Sequence, residues 1–223
     1  MKVTAIIPTL NEEEFLEDCL IALRNQTYPI DEIIVIDSGS EDRTVEIAQK
    51  YADKILFGIR NIGYNRELGR IEAKNEIILS TDGDTIMPEN WLEEAIKYFN
   101  NPNIVGVTGS IKPFNSNVIT NINCWFRNAW NHIFPSFVNR GCCFLFRNSL
   151  DTSFCDEFSC RTFGEDAQLR KNLMKSGKVV YDKNLYVITE IPNNQQFKTF
   201  AIICASLGII LLSKKLKIIK TFF

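Results

Sequence analysis

Residues 3–37 read VTAIIPTLNEEEFLEDCLIALRNQTYPIDEIIVID, and their pattern decides the fold. Val3–Pro8 is a continuous apolar run closed by a proline, the signature of a buried strand. Phe15, Leu16, Cys19, Leu20 and Leu23 then fall on one helical face, which predicts an amphipathic helix over 12–25. Asn11 is placed to cap it, with Glu14 in capping-box position. Glu32–Asp37 is a second buried strand. The alternation continues downstream: Ser40 opens a helix running to Tyr51, and Lys54–Phe57 forms a short strand. A helix over 64–74 leads into the strand Glu76–Thr81. Trp91, Leu92, Ala95, Ile96 and Phe99 mark one face of a further helix after Pro88. Strand and helix alternating at this spacing predict parallel strands with right-handed crossovers, an α/β sandwich.

Beyond Phe114 the chain is rich in Asn and aromatics, and Ile119, Ile122, Phe126, Ala129, Trp130 and Ile133 recur at helical spacing. Gly141–Arg147 reads as a strand and Glu165–Ser176 as a helix. Val179–Tyr181 and Tyr186–Ile188 read as two short strands.

Composition narrows the function. The chain has 223 residues, 45% of them hydrophobic, enough for a sizeable core. A net charge of -2 argues against a nucleic-acid partner, which demands a basic surface. The single histidine, His132, excludes a site built on two imidazoles and is expected to be structural. The seven cysteines include no CxxC pair and are expected to be reduced, mostly buried thiols in a cytoplasmic protein. Five of the 25 basic residues lie beyond Ile191, with none of the 27 acids. The rest of the chain therefore carries 20 against 27, a net of -7.

In open α/β sheets, ligands bind at the carboxyl ends of the strands. Here those ends read Pro8-Thr9-Leu10-Asn11-Glu12, then Asp37-Ser38-Gly39-Ser40, then Asp82-Gly83-Asp84. No GxGxxG follows the first strand and no GxxxxGK[ST] occurs, which excludes a dinucleotide fingerprint and a P-loop. Asp82-Gly83-Asp84 is the most informative. The glycine is expected to let the backbone turn sharply, so that two carboxylates converge on one small volume. Such a pair repels itself unless a divalent cation neutralises it, and Mg²⁺ or Mn²⁺ completed by substrate phosphates is the usual arrangement.

Six stretches in order carry a resemblance: IIPTLNEE (6–13), IVIDSGSEDRT (34–44), NRELG (65–69), STDGD (80–84), RGCCFLFR (140–147) and FGEDAQL (163–169). Over about residues 1–190 the chain resembles the inverting family 2 glycosyltransferases. That resemblance implies a GT-A fold, a Rossmann-like, mostly parallel sheet flanked by helices, binding a nucleotide-diphospho-sugar donor. It implies that Pro8, Leu10, Glu12 and Asp37 surround the base and ribose. It further implies that Asp82 and Gly83 lie at the ribose or metal shell, that Asp84 ligates the metal of a DXD motif, and that Arg66 contacts the pyrophosphate. Asp166 matches the catalytic base. The acceptor is a glycan, a protein or a lipid-linked group. Other readings are a polyprenyl-phosphate sugar synthase and a non-catalytic nucleotide-sugar or glycan-binding protein.

Two departures accompany the resemblance. The stretch Val187-Ile188-Thr189-Glu190 lacks the metal-binding histidine many relatives place there, which leaves either Glu190 as a substitute oxygen ligand or a metal shell of Asp84 and water. The QxxRW signature of processive polysaccharide synthases is also missing, which favours transfer of a single sugar. The remaining segment, 191–223, is an apolar and basic tail. Phe200–Leu212 is uncharged and bounded by Lys198 and by Lys214, Lys215, Lys217 and Lys220. As a helix it would span about 20 Å against a hydrocarbon core of ~30 Å, too short to cross. Two readings stand for it: peripheral contact with the cytoplasmic membrane face through 197–223, or a buried C-terminal helix packed on the sheet with a solvated basic end.

Overall fold

The computed structural model describes residues 1–133, 143–149, 152–155 and 165–190. The first four strands, β1 (Val3–Thr9), β2 (Glu32–Asp37), β3 (Lys54–Phe57) and β4 (Ile77–Thr81), run parallel in the order β3-β2-β1-β4. Helices α1 (Leu16–Arg24), α2 (Thr44–Tyr51) and α3 (Ile62–Glu72) make the crossovers. β1, β2 and β4 are buried along their whole length, as uninterrupted apolar runs require.

The second half is mixed. After β5 (Thr85–Ile86), α4 (Trp91–Ile96) and a 3₁₀ turn (Lys97–Asn100) comes the ten-residue β6 (Ile104–Pro113). Helix α5 (Val118–Ile133), β7 (Cys143–Arg147), α6 (Glu165–Ser176) and β8 (Lys178–Thr189) follow. The full sheet has eight strands in the order β3-β2-β1-β4-β7-β6-β8-β5. β7 lies antiparallel between β4 and β6, β8 is parallel to β6, and β5 pairs antiparallel with β8. The sheet is therefore parallel on one side of β4 and mixed on the other.

Two apolar clusters cover its faces. Ile7, Leu20, Leu79, Trp91 and Phe99 belong to one, and Ile6, Ile36, Phe146, Phe154 and Leu169 to the other. Alternating β1 residues feed both, which fixes the register of that strand.

Several expectations need correction. α1 begins at Leu16 rather than near residue 12, and Phe15 is its N-cap with no side-chain cap bond. Asn11 instead adopts φ 56, so it turns the chain rather than capping a helix. Ser40 does not cap α2, whose N-cap is Arg43. The two short strands over 179–188 are one strand, β8, with an irregularity opposite Gly109/Ser110. β6 is absent from the sequence reading because Gly106 and Gly109 interrupt its apolar pattern. Both are there for room: a Cβ on Gly109 would stand 1.6 Å from the Leu185 carbonyl oxygen, and one on Gly106 would press on the Phe144 ring. Cys19, Cys124 and Cys143 are buried reduced thiols, as expected, whereas Cys155 is disulfide-bonded. The tail 191–223 and the side chain of His132 lie outside the described residues.

Candidate active site

The carboxyl ends of β1, β2 and β4 meet at one edge of the parallel half. The β1 loop is fastened to the β2 loop by backbone-to-side-chain bonds. The Asn11 N–H donates to Ser40 Oγ at 2.9 Å, the Glu41 N–H to Asn11 Oδ1 at 2.9 Å, and the Glu12 N–H to Thr44 Oγ1 at 2.8 Å. The left-handed turn at Asn11 makes this lacing possible. Pro8 is buried in β1, while Leu10 at the loop crest is 38% exposed.

Asp37, expected to receive a base N–H, is almost wholly occupied by its own loop. Its Oδ2 accepts from the N–H groups of Gly39 (2.9 Å) and Ser40 (3.0 Å). Its Oδ1 accepts from the hydroxyls of Ser40 (2.5 Å) and Thr9 (3.4 Å). A carboxylate offers about four lone-pair positions, so a base would have to displace one hydroxyl. Gly39, at φ 86, supplies the left-handed residue that brings those two N–H groups round.

Asn65, fully buried on α3, ties two further loops. Its amide donates to Ser38 Oγ and to the Ile59 carbonyl, both at 2.7 Å, and its Oδ1 accepts from the Ile59 N–H at 3.0 Å. Sequence reasoning assigned it nothing. Its signal is the adjacent Gly58, where a Cβ would collide with the Asn65 amide.

Asp82-Gly83-Asp84 crosses directly over the β1 loop. The sequence reading gave Gly83 the role of a sharp turn. The structure gives a different reason, since Gly83 lacks a left-handed φ. A Cβ there would lie 3.3 Å from Glu12 Cγ and 3.4 Å from Thr9 Cγ2. Glycine lets the acidic turn lie against Glu12.

Asp84 Oδ1 accepts from the hydroxyls of Thr85 and Thr189, each at 3.3 Å. Thr189 arrives through the β5–β8 pairing, Thr85 opposite Thr189, which also delivers Glu190 to the site. Burial, then repulsion by Asp82, pushes the Asp84 carboxyl up to about 6 despite those two bonds. Burial, then repulsion by Asp84, Asp82 and Glu190, pushes Glu12 up to about 8. The Cys19 thiol is raised by burial as well, and it donates to the Asp82 carbonyl at 3.5 Å.

Arg66 is the counterweight. It is 2% exposed, not a surface helix charge, and donates to Ser80 Oγ and Asp82 Oδ1. Its Nε lies 3.8 Å from Glu165 Oε1. Burial opposes its charge, but Asp82, Asp166 and Glu165 together outweigh that and hold it firmly protonated. Glu165 and Asp166 open α6 and are 8% and 6% exposed. The helix N-terminus favours their negative charge. Arg66 therefore stands between the Asp82 turn and the Glu165-Asp166 pair, with its guanidinium 6.0 Å from the Phe154 ring centroid.

The donor set suits a hard divalent cation. Among the described residues no group of three or more His, Cys, Asp or Glu forms a cage for a metal ion. Asp84, with Asp82 beside it, offers one or two carboxylates, and Glu12 crowds them from the β1 loop. This is the chemistry of a site completed by phosphate oxygens and water.

Residues 4–155 match the family described as Glycosyl transferase family 2. The chain belongs to that family. Hyaluronan synthase of Streptococcus pyogenes is 26% identical over 221 residues, covering 86% of this chain and 53% of the synthase. The chain thus spans about half the length of that relative. Cholesterol galactosyltransferase of Borreliella burgdorferi is 39% identical over 98 residues, 41% of this chain and 27% of that protein. In fold, the mannosyltransferase PcManGT of Pyrobaculum calidifontis, solved with GDP-Man and Mn2+, superposes with a TM-score of 0.65. The superposition covers 86% of this chain and 57% of PcManGT at 20% identity. The family 2 match agrees with the α/β, GT-A reading of the sequence.

Proposed function

We propose that this chain transfers a single sugar from a nucleotide-diphospho-sugar to an acceptor hydroxyl, with inversion and with dependence on Mg²⁺ or Mn²⁺. The observation that carries the reading is the convergence of Glu12, Asp82 and Asp84 over Gly83, which leaves two carboxyl groups far above their ordinary range. A surface turn would not press its acids together. The solution of PcManGT with GDP-Man and Mn2+ supports the same donor chemistry.

Residues 1–190 form the transferase unit in this reading. Asp84, assisted by Asp82, holds the cation, and the bound ion offsets the charge of the departing diphosphate. Pro8, Leu10 and Glu12 line the nucleoside side, with Asp37 keeping the loop in shape. Arg66 fixes Asp82 and adds positive charge on the pyrophosphate side. Asp166 accepts the proton of the attacking hydroxyl, opposite the leaving group, so one displacement inverts the anomeric carbon. Arg66 lies near Asp166, whose negative charge is one of those that keep the guanidinium protonated.

Absence of the QxxRW signature favours one transfer over polymerisation, although one relative is a hyaluronan synthase. The tail lysines support a peripheral position on the cytoplasmic face of a membrane. A lipid phosphate acceptor is the second reading. It is favoured by that tail. The test is a thermal-shift panel of nucleoside diphosphate sugars with and without Mn²⁺. A true donor at 100 times its dissociation constant should stabilise the protein by about 2.7 kcal/mol. No stabilisation by any nucleotide sugar in either condition would sink the proposal.

A further inference from the structure

Helix α5 presents apolar side chains outward in a row. Val118, Ile122 and Trp125, at i, i+4 and i+7, are 74%, 40% and 64% exposed, and Phe114 just before the helix is 46% exposed. The inner face of α5 is firmly seated. Thr120, Asn123 and Cys124 are buried, and the Asn128 amide bonds both the N–H and the carbonyl of Ile111, at 3.0 and 2.9 Å. The rotation of the helix is therefore fixed, and the outward row is a fixed feature of the surface.

Charge along the chain follows the same division. Residues 95–150 contain no Asp or Glu, and carry Lys97, Lys112, Arg127, Arg140 and Arg147. Residues 191–223 likewise contain no acid and carry five lysines. Every acid of this acidic body lies elsewhere. The first of these stretches is tied to the end of β8, where the Phe114 N–H donates to the Thr189 carbonyl at 2.9 Å.

We infer that Phe114, Val118, Ile122 and Trp125 form a face by which the protein rests on an anionic lipid surface. An acid-free, outwardly apolar helix with a tryptophan among its exposed residues suits the headgroup boundary, where such faces enter about 5–10 Å. A lipid surface also accounts for the exclusion of acids from both stretches, since each would be repelled there while Lys and Arg are attracted. Among the described residues no helix is long and apolar enough to cross a membrane.

The face adjoins the candidate site. The Phe114 ring meets the Phe15 ring edge-on, with centroids 5.9 Å apart, and Phe15 follows the Glu12 loop directly. An acceptor anchored in lipid would be presented beside the donor pocket, which selects the lipid-linked class among the acceptors. This consequence rests on the transferase reading; the lipid contact itself does not.

The experiment uses the full chain with mixed phosphatidylglycerol–phosphatidylcholine vesicles bearing brominated acyl chains. Tryptophan emission should be quenched on binding, and Trp125→Phe should lose most of that quenching while still sedimenting with the vesicles. The Val118→Ser/Ile122→Ser double variant should melt like the parent and bind vesicles at least tenfold more weakly, since each apolar side chain contributes on the order of 1.5–3 kcal/mol when buried. High salt should weaken both proteins further. Three results would overturn the inference. One is failure to bind phosphatidylglycerol vesicles at low salt. Another is binding in which Trp125 stays unquenched. The third is concentration-dependent self-association that the double variant abolishes, which would show a second copy covering the face. Vesicle binding without any nucleotide-sugar stabilisation would instead retire the transferase reading and leave the lipid face standing.

Discussion

Replacing Arg66 by methionine would test the electrostatic design of the site most directly. The guanidinium is 2% exposed, is bonded to Ser80 and Asp82, and lies 3.8 Å from Glu165. Methionine keeps most of the volume and removes the charge. Two carboxylates would then share a partly buried space with no cation, and removing one partner of a buried pair typically costs about 3–5 kcal/mol. Asp82 retains 31% of its side-chain exposure, so water softens part of that loss and the lower figure is expected. For a chain of this size the melting temperature should fall by about 6–12 °C, taking ~2–4 °C per kcal/mol. Urea unfolding followed by circular dichroism gives the free energy. The diagnostic step is a second substitution. If the cost arises from stranded negative charge, Asp82→Asn in the Arg66→Met background should recover about 1–2 kcal/mol, although it destabilises when made alone. Should Arg66→Met lose under about 1 kcal/mol, or the double variant be no better than the single, Arg66 is not the counterion that holds these acids together.

The remaining expectations concern the parts around it. Asp84→Ala should leave the melting temperature within a few degrees of the parent yet abolish Mn²⁺-dependent stabilisation by the donor, measured by thermal shift. Asp166→Asn should lower turnover by roughly 10²–10⁴ with donor affinity little changed, and a loss confined to donor affinity would move Asp166 into the nucleotide pocket. Gly83→Ala must displace Glu12 or Thr9 by a few tenths of an ångström, so donor affinity should drop while the core, read by urea unfolding, stays within ~1 kcal/mol. Asn65→Leu strands the Ile59 and Ser38 groups it serves and should cost about 1–3 kcal/mol, with the 58–61 loop gaining the most hydrogen exchange.

The parallel half of the sheet was legible because each of its buried strands is an uninterrupted apolar run ended by a proline or an acid. The mixed half was not. β6 hides behind Gly106 and Gly109, whose presence answers to the Phe144 ring and the Leu185 carbonyl, and neither neighbour is local in sequence. The same limit applies to the site. Asp84 stood out because an acid pair follows a buried strand, whereas Asp166 was reached only through the family resemblance. Asn11 misled because Asn favours both N-caps and left-handed turns, and only the Ser40 and Glu41 contacts select the second. Asn65 and Ser80 fall within family-like stretches but were given no role of their own. A buried amide or hydroxyl matters through partners tens of residues away, and periodicity does not report those.

The charge count of the site explains why the acids and Arg66 have to be considered together. Glu12, Asp82, Asp84 and Glu190 crowd the strand ends, and Glu165 and Asp166 approach from α6, against the buried cation Arg66. With Glu12 raised to about 8 and Asp84 to about 6, the protein alone sheds part of this repulsion by holding protons. A nucleoside diphosphate arriving in the same cleft would bring further negative charge to a region that already rejects its own. Protonation cannot compensate for a diphosphate, whose charge has to be met by positive charge at short range. Arg66 is already committed to Asp82 and leans towards Glu165, so it supplies only part. In the proposed reading Asp84 would hold a divalent ion, and the charge it would bring is the kind this deficit calls for. Arg66→Met should therefore raise the Mn²⁺ requirement for donor binding as well as lower stability, and titrating Mn²⁺ at fixed donor would show it. An unchanged Mn²⁺ midpoint would mean that Arg66 serves the fold alone and takes no share of the donor's charge.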